Sequence, residues 1–227
     1  MSVVKIQIVD TLSRMIRFIQ VCIIIVLLTT SVSGQTFSAS KIKIVWKDSN
    51  DIPYMLFKNV QKAYPNAIFM TNGGRDTKSH HPIGLYIEKG KKISNLKPIL
   101  NTKTSTELQP LGVFVIREGK AFISKSLNTS TYKDADYALQ SNPILVWDGT
   151  INKQLPKGKV IMRNGVGVKK DGSVYFACLQ MGYRDFAQHF IEQDCISAIH
   201  LSDQKAETWQ KESKPSYSRY ATIFVVE

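Results

Sequence analysis

The chain has 227 residues, with 30 Lys and Arg against 18 Asp and Glu and a formal charge of +12. That length suits one domain with a proper core, and the basic balance suits anionic partners such as cell-wall phosphates, lipopolysaccharide or phosphosugars. The lysines are scattered, not laid in a stripe interleaved with aromatics, which argues against nucleic acid; the Cys and His residues lack metal-ligand spacing.

In chain order, Lys5, Arg14 and Arg17 precede an apolar run over 18–28, and small residues including Val32 and Gly34 follow it. A basic start, a short apolar core and a small-residue exit make a secretory signal, so residues 1–34 are expected to be removed by cleavage after Gly34. The rival is an uncleaved anchor, but the run falls short of the ~20 residues a spanning helix needs. Cleavage leaves no membrane span, takes two positive charges from the +12, and implies a secreted or periplasmic protein. Cys22 lies inside the apolar run, not at its end, which excludes a lipidation site.

Residues 35–40 read as a polar leader, and 41–47 as a half-buried strand with Ile42, Ile44 and Trp46 on one side. A helix over 54–63 ends at Pro65-Asn66, and a buried strand over 67–71 opens onto Asn72-Gly73-Gly74-Arg75-Asp76. The two glycines permit either a sharp turn or a close approach of the backbone to something else. Strands follow over 83–88, 112–117, 120–124 and 144–147, with turns at Lys89-Gly90, Glu118-Gly119 and Asp148-Gly149. Residues 94–110 form a loop and 134–139 a short helix, while Asn128-Thr129-Ser130 is formally a glycosylation sequon.

The stretch 162–203 is one supersecondary unit. Asp171-Gly172 between two β-prone runs is a hairpin turn that tolerates positive φ at both central positions. Tyr183, Phe186, Ala187, Phe190 and Ile191 have helical spacing over 183–194, and a short apolar strand over 197–201 closes the unit. Cys178 and Cys195 stand at the ends of this strand–helix–strand. Paired, they would close a loop of about 18 residues and stabilise the fold by roughly 3 kcal/mol; unpaired, they are two small buried thiols. Residues 204–218 are polar and basic, and the chain ends on a strand over 221–226. No repeat or linker interrupts the pattern. It predicts one α+β domain over 41–227, with a mixed sheet built of hairpins and packed with two or three helices.

No elbow, phosphate loop or zinc motif is present. Several short segments carry more in their order: Thr71-Asn72-Gly73-Gly74, Pro82-Ile83-Gly84-Leu85-Tyr86, Gln140-Ser141-Asn142-Pro143, Arg163-Asn164-Gly165-Val166-Gly167, Asp185-Phe186-Ala187 and Cys195 through Leu201. In this order and spacing the chain resembles the phosphodiester glycosidase family, in its compact secreted bacterial branch, over about residues 41–210. The resemblance implies a hydrolase that cleaves a sugar–phosphate phosphodiester, for example of α-linked N-acetylglucosamine. It places Asn72, Gly73, Gly74, Gln140, Ser141, Arg163, Asn164, Gly165 and Gly167 around the pocket, and implies no particular cofactor. The chain departs from the family pattern at Arg75-Asp76, at Leu111, at Asn142 and at Ser202, where the family carries an acid.

Expelling phosphate from a sugar needs a cation on the phosphate and an acidic group to activate water or steady a cationic sugar. Arg163 suits the first task, because its planar fork matches phosphate bidentately; its bland role is a structural ion pair. Asp203 suits the second if the loop is shifted by one residue, and is otherwise a surface turn residue. Asp76, Glu107, His81 and His200 are lesser candidates. Three functions stay open: a hydrolase acting on a phosphate-linked sugar, a diverged member that only binds a glycan or phosphosugar of the cell envelope, and a charge-driven surface protein.

Overall fold

A computed structural model describes residues 34–97, 110–125, 127–203, 205–214 and 217–227, and the Asp203 side chain is outside that description. The expected signal up to residue 33 and the segment 98–109 with Glu107 also lie outside the described residues. The first elements are β1 (Gly34–Phe37), β2 (Ile42–Val45), α1 (Phe57–Ala63), β3 (Phe69–Gly73), β4 (Tyr86–Glu88) and β5 (Lys91–Ser94). Then come β6 (Gly112–Arg117), β7 (Lys120–Ser124), β8 (Tyr137–Ser141), β9 (Ile144–Trp147) and β10 (Thr150–Ile151). The chain continues through β11 (Ile161–Lys169), β12 (Val174–Met181), α2 (Tyr183–Glu192), β13 (Cys195–Asp203), β14 (Thr208–Gln210) and β15 (Thr222–Val226).

These strands make three sheets, ordered β1-β12-β11-β13-β9-β10, β14-β3-β15-β2 and β5-β4-β8-β6-β7. Every described pairing is antiparallel, so the expected mixed sheet is corrected to three antiparallel ones with little helix beside them. Hairpins and returning strands supply each neighbour, and among the described residues no helix carries a crossover between parallel strands.

Their inner faces share one core, with Ile44 and Phe224 from the four-stranded sheet, Tyr86 and Phe114 from the five-stranded, and Val166 and Phe176 from the six-stranded. Helices cover outer faces. Phe57 and Val60 of α1 pack on Met70, Ile223 and Val225, while Phe186 and Phe190 of α2 pack on Val146, Tyr175 and Ala198. β15 is therefore apolar from Ile223 to Val226, since Phe224 and Val226 face the shared core and Ile223 and Val225 face α1.

Gly165 and Gly167 let α2 lie close on β11. A Cβ on Gly167 would meet Cys195 Sγ at 2.6 Å and the Phe190 ring at 2.7 Å. Lys89-Gly90, Glu118-Gly119 and Asp148-Gly149 all have positive φ at both residues, as two-residue hairpin turns require. At Asp171-Gly172 only the glycine is left-handed, and Gly172 N–H returns to Lys169 O. This is the three-residue form of hairpin, a turn followed by a glycine bulge.

Other expectations shift. The leader 35–40 contains β1, with Gly34 already paired to Ala177. The expected helix over 134–139 is replaced by a 3-10 turn at Thr129–Tyr132 and by β8, whose Ala138 and Leu139 are both fully buried on opposite faces. The polar stretch 204–218 contains β14, anchored by buried Trp209. Cys178 and Cys195 are free thiols. Cys178 lies opposite Asn164 and Cys195 opposite Lys169, five positions along β11, or roughly 16 Å at strand rise, beyond disulfide reach.

Candidate functional site

The predicted residues collect where the C-terminal ends of β3, β8 and β13 meet the N-terminal end of β11. Asn72, Gln140, Ser141, Arg163 and Asn164 are all buried there. Two asparagines join two sheets. Asn164 Nδ2 reaches Thr71 Oγ1 at 3.0 Å, Asn72 O at 2.6 Å and Asn72 Oδ1 at 3.1 Å. Asn72 Oδ1 also accepts from Glu207 N–H at 2.9 Å, and Thr71 Oγ1 donates to Glu207 O at 2.8 Å. These partners determine the amide orientation: Asn72 O is an acceptor, so Asn164 must present its NH2 group to it. Asn164 Oδ1 points away and is buried without a hydrogen-bond partner.

The glycines beside Asn72 answer the question of turn or close approach with one of each. A Cβ on Gly73 would strike the Phe224 ring at 2.6 Å, so strand end and core side chain are in direct contact. Gly74 takes φ +60 and turns the chain out of β3.

Gln140 and Ser141 hold backbone. Gln140 Oε1 accepts from Leu85 N–H at 2.8 Å and Lys97 N–H at 2.9 Å, and its Nε2 donates to Lys97 O at 2.8 Å. Ser141 Oγ donates to His200 O at 2.7 Å, tying β8 to β13. A narrow crevice beside them is lined by Arg75, Lys97, Leu111, Gln140, Ser141 and Asn142, two of them cationic residues.

Arg163 serves the other face of β11, since adjacent strand residues point oppositely. Its guanidinium lies 3.6 Å above the Tyr183 ring, Nε donates to Met181 O at 3.0 Å and Nη2 to Lys159 O at 3.0 Å. It is 2% exposed. The ladder sets Asp203 opposite Arg163 and Ser202 opposite Asn164.

His200 is buried, with Nδ1 donating to Asn142 O at 3.0 Å and its ring edge against Tyr183. Asp76 pairs with His80 at 3.0 Å, and His81 meets Ser79 Oγ at 3.2 Å and the edge of Trp46. Burial pushes the Cys178 thiol up to about 11, with Glu207 adding to the effect, so it stays protonated and is no nucleophile. Among the described residues no group of three His, Cys, Asp or Glu side chains is placed to hold a metal, and no helix is long and apolar enough to cross a membrane.

Sequence reasoning overlooked Glu207, Lys97 and Tyr183 as members of this neighbourhood. Tyr183 was legible only as an apolar position of α2. Glu207 and Lys97 sit in polar stretches whose neighbours are set by long-range pairing.

The sequence profile described as phosphodiester glycosidase matches residues 65–202, well over half of the chain. "Uncharacterized protein YigE" of Escherichia coli (strain K12) is 33% identical over 120 residues, 51% of this chain. The chain spans about half, 47%, of that relative's length. Among solved structures, the zebrafish N-acetylglucosamine-1-phosphodiester α-N-acetylglucosaminidase catalytic domain, auto-inhibited by its pro-peptide, superposes with TM-score 0.64 at 14% identity. That match covers 83% of this chain and 73% of the zebrafish one. A hypothetical protein from Synechocystis gives TM-score 0.56 at 10% identity, covering 86% and 59%. Those two likenesses concern fold; the profile match across β3, β8, β11 and β13 concerns lineage, and by it this chain belongs to the phosphodiester glycosidase family.

Proposed function

We propose that this protein is a secreted or periplasmic hydrolase that cleaves a sugar–phosphate phosphodiester bond, for example one carrying α-linked N-acetylglucosamine. The observation that carries the reading is the buried Asn72–Asn164 pair, with Asn164 Oδ1 left as an acceptor for a ligand donor. Arg75 and Lys97, which line the crevice by Ser141, suit the phosphate. Gly73 and Gly74 seat the end of β3 against Phe224 and Leu139, and Gln140 holds the Lys97 segment in place. Arg163 supplies a fixed positive charge behind the strand end, and Asp203, opposite it in the ladder, is an acidic candidate. The substrate class is a phosphate-linked sugar or an anionic envelope glycan.

Incubating the purified protein with UDP-N-acetylglucosamine is expected to release free N-acetylglucosamine, read by a reducing-sugar assay. Binding of that sugar nucleotide without release favours the second reading, a diverged member that holds a glycan or phosphosugar; the uncharged Ser202 at the family's acid position motivates it. Secretion is tested separately by Edman sequencing of protein recovered outside the cytoplasm. A first residue of Gln35 is expected, and an intact Met1 in that material would end the cleavage idea.

A further inference from the structure

Glu88, at the end of β4, brings a half-buried carboxylate to the joint between two sheets. On the other side of the joint, β2 is the last strand of the four-stranded sheet. Glu227 N–H bonds to Lys41 O, so residues 41, 43 and 45 turn their backbone groups to β15, while those of Ile44 and Trp46 face the open side. Two β4 side chains meet them there. Trp46 N–H donates to Glu88 Oε2 at 3.2 Å, and Tyr86 OH lies 2.7 Å from the same Oε2 and 3.2 Å from Ile44 O.

A phenol has one proton, and here two acceptors compete for it. Tyr86 is fully buried, and burial together with the Glu88 charge holds its pKa well above the usual phenol range, so the phenol keeps that proton. An ionised Glu88 wins it, because that bond is shorter and charge-assisted, and Ile44 O is left with the longer contact. A protonated Glu88 reverses the order. Its own O–H donates to the Tyr86 oxygen, the Tyr86 proton turns to Ile44 O, and Oε2 still accepts from Trp46 N–H.

Burial pushes the Glu88 carboxyl above its usual range, against the Tyr86 and Trp46 hydrogen bonds and Lys89, which pull it down. Among the described residues no cation forms an ion pair with it. Tyr137 stands opposite it on β8, Tyr54 N–H bonds to Trp46 O, and Tyr64 packs on Tyr54; burial raises all three phenols, so they stay neutral in acid. The other charges of these elements are engaged elsewhere: Lys43 with Glu227, Lys47 with Asp51, Asp136 with Glu118 N–H and Asp76 with His80. His81 meets the edge of the Trp46 ring, away from the carboxylate's own bonds.

We propose that Tyr86 and Glu88 form a proton-operated latch between the four-stranded and five-stranded sheets, open at neutral pH and closed onto Ile44 O in acid. The latch is independent of the hydrolase reading above. It takes one proton from solvent, and the phenolic hydrogen moves by rotation about its C–O bond. The folded protein holds this proton more tightly than the unfolded chain does. The stability that the latch contributes is therefore fully present below the unfolded value of about 4.3, and is lost as pH rises through the folded one.

The experiment follows the Ile44 carbonyl carbon and the Glu88 carboxyl carbon by NMR from about pH 3.5 to 8 in wild type, Glu88→Gln and Tyr86→Phe, with thermal melts. In wild type the two carbons are expected to titrate with one midpoint, above about 4.3. In Glu88→Gln the amide NH2 stands in for the acid proton. Ile44 is then expected to hold its acid-limit position at every pH, and the variant to melt about 2–4 °C above wild type at pH 7.5, the gap closing in acid. In Tyr86→Phe the Ile44 carbon is expected not to titrate. An Ile44 carbon that ignores Glu88 in wild type overturns the latch, as does a Glu88→Gln that melts below wild type at pH 7.5. A titration of Ile44 that persists in Tyr86→Phe also overturns it, since the charge would then act without the phenol. If Tyr86→Phe fails to fold, Glu88→Gln decides: an Ile44 carbon at the alkaline limit of wild type overturns the latch, and one at the acid limit upholds it.

Discussion

Asn164→Asp is expected to remove about 3–5 kcal/mol of stability at neutral pH, although it changes a single NH2 group to oxygen. That group now touches Asn72 O, Asn72 Oδ1 and Thr71 Oγ1. A carboxylate oxygen in its place would face three accepting oxygens at hydrogen-bond distance, with its charge buried and unpaired in a residue 1% exposed. The protonated acid restores one donor, so the folded state holds the proton more tightly than the unfolded chain does. The carboxyl of the variant thus has a folded pKa above its unfolded value of about 4. The deficit is then smallest below that value and grows as pH rises through the folded pKa. Urea unfolding of variant and wild type at pH 4, 5.5 and 7.5 tests this. A gap under about 0.5 kcal/mol at pH 7.5 would mean that the amide does not tie the two sheets.

The second large effect is expected at Arg163. Arg163→Met should cost about 3–5 kcal/mol, because two backbone carbonyls lose a charged donor and the Tyr183 ring loses its cation. Arg163→Lys keeps the charge but not the planar fork, so it cannot cover Tyr183 while also serving Met181 O and Lys159 O. It should recover less than half of the stability lost in Arg163→Met, and both variants should release sugar more slowly at a temperature where they remain folded. The reason is positional: β11 carries Arg163 and Asn164 next to each other, and slack on one face moves the other. Full stability and full sugar release in Arg163→Lys would reduce this side chain to a point charge.

How much of this was legible beforehand depended on whether a feature was local. The turns at 89–90, 118–119 and 148–149 are set by two adjacent residues each, and α2 begins where its apolar spacing begins. By contrast, Ala135, Ala138 and Leu139 have helical spacing yet lie in and beside β8, a strand covered on both faces and so apolar on both. β14 was hidden because three residues in a basic stretch carry no period, and only pairing with β3 gives Trp209 a buried place. The sheet type went the same way, since the partner of β1 is β12 and that of β3 is β15, relations that no window of sequence contains.

In the site, Asn72 and Asn164 were found through their motifs, but the role of each neighbour was not. Arg163 reads as a phosphate ligand, and its place over the Tyr183 ring is a contact that the motif does not contain. Gln140 and Ser141 read as substrate contacts, and their bonds to Lys97 and His200 are long-range relations that the motif does not contain. Glu207 has no motif, and its proximity to Asn72 exists only once β14 has paired.

The order β14-β3-β15-β2 puts the fifteenth strand between the third and the second. Thr222 bonds to Gly73 across 149 positions of sequence, and until Thr222–Val226 has been synthesised and docked, β2 and β3 have no common partner. Such distant closures slow the search for the native state more than they weaken it. The end of β3 that bears Asn72 is thus completed late in folding. The outer helices and the hairpins at 89–90, 118–119 and 148–149 are free to form earlier, so an unfinished chain has most of its local structure before it has its site.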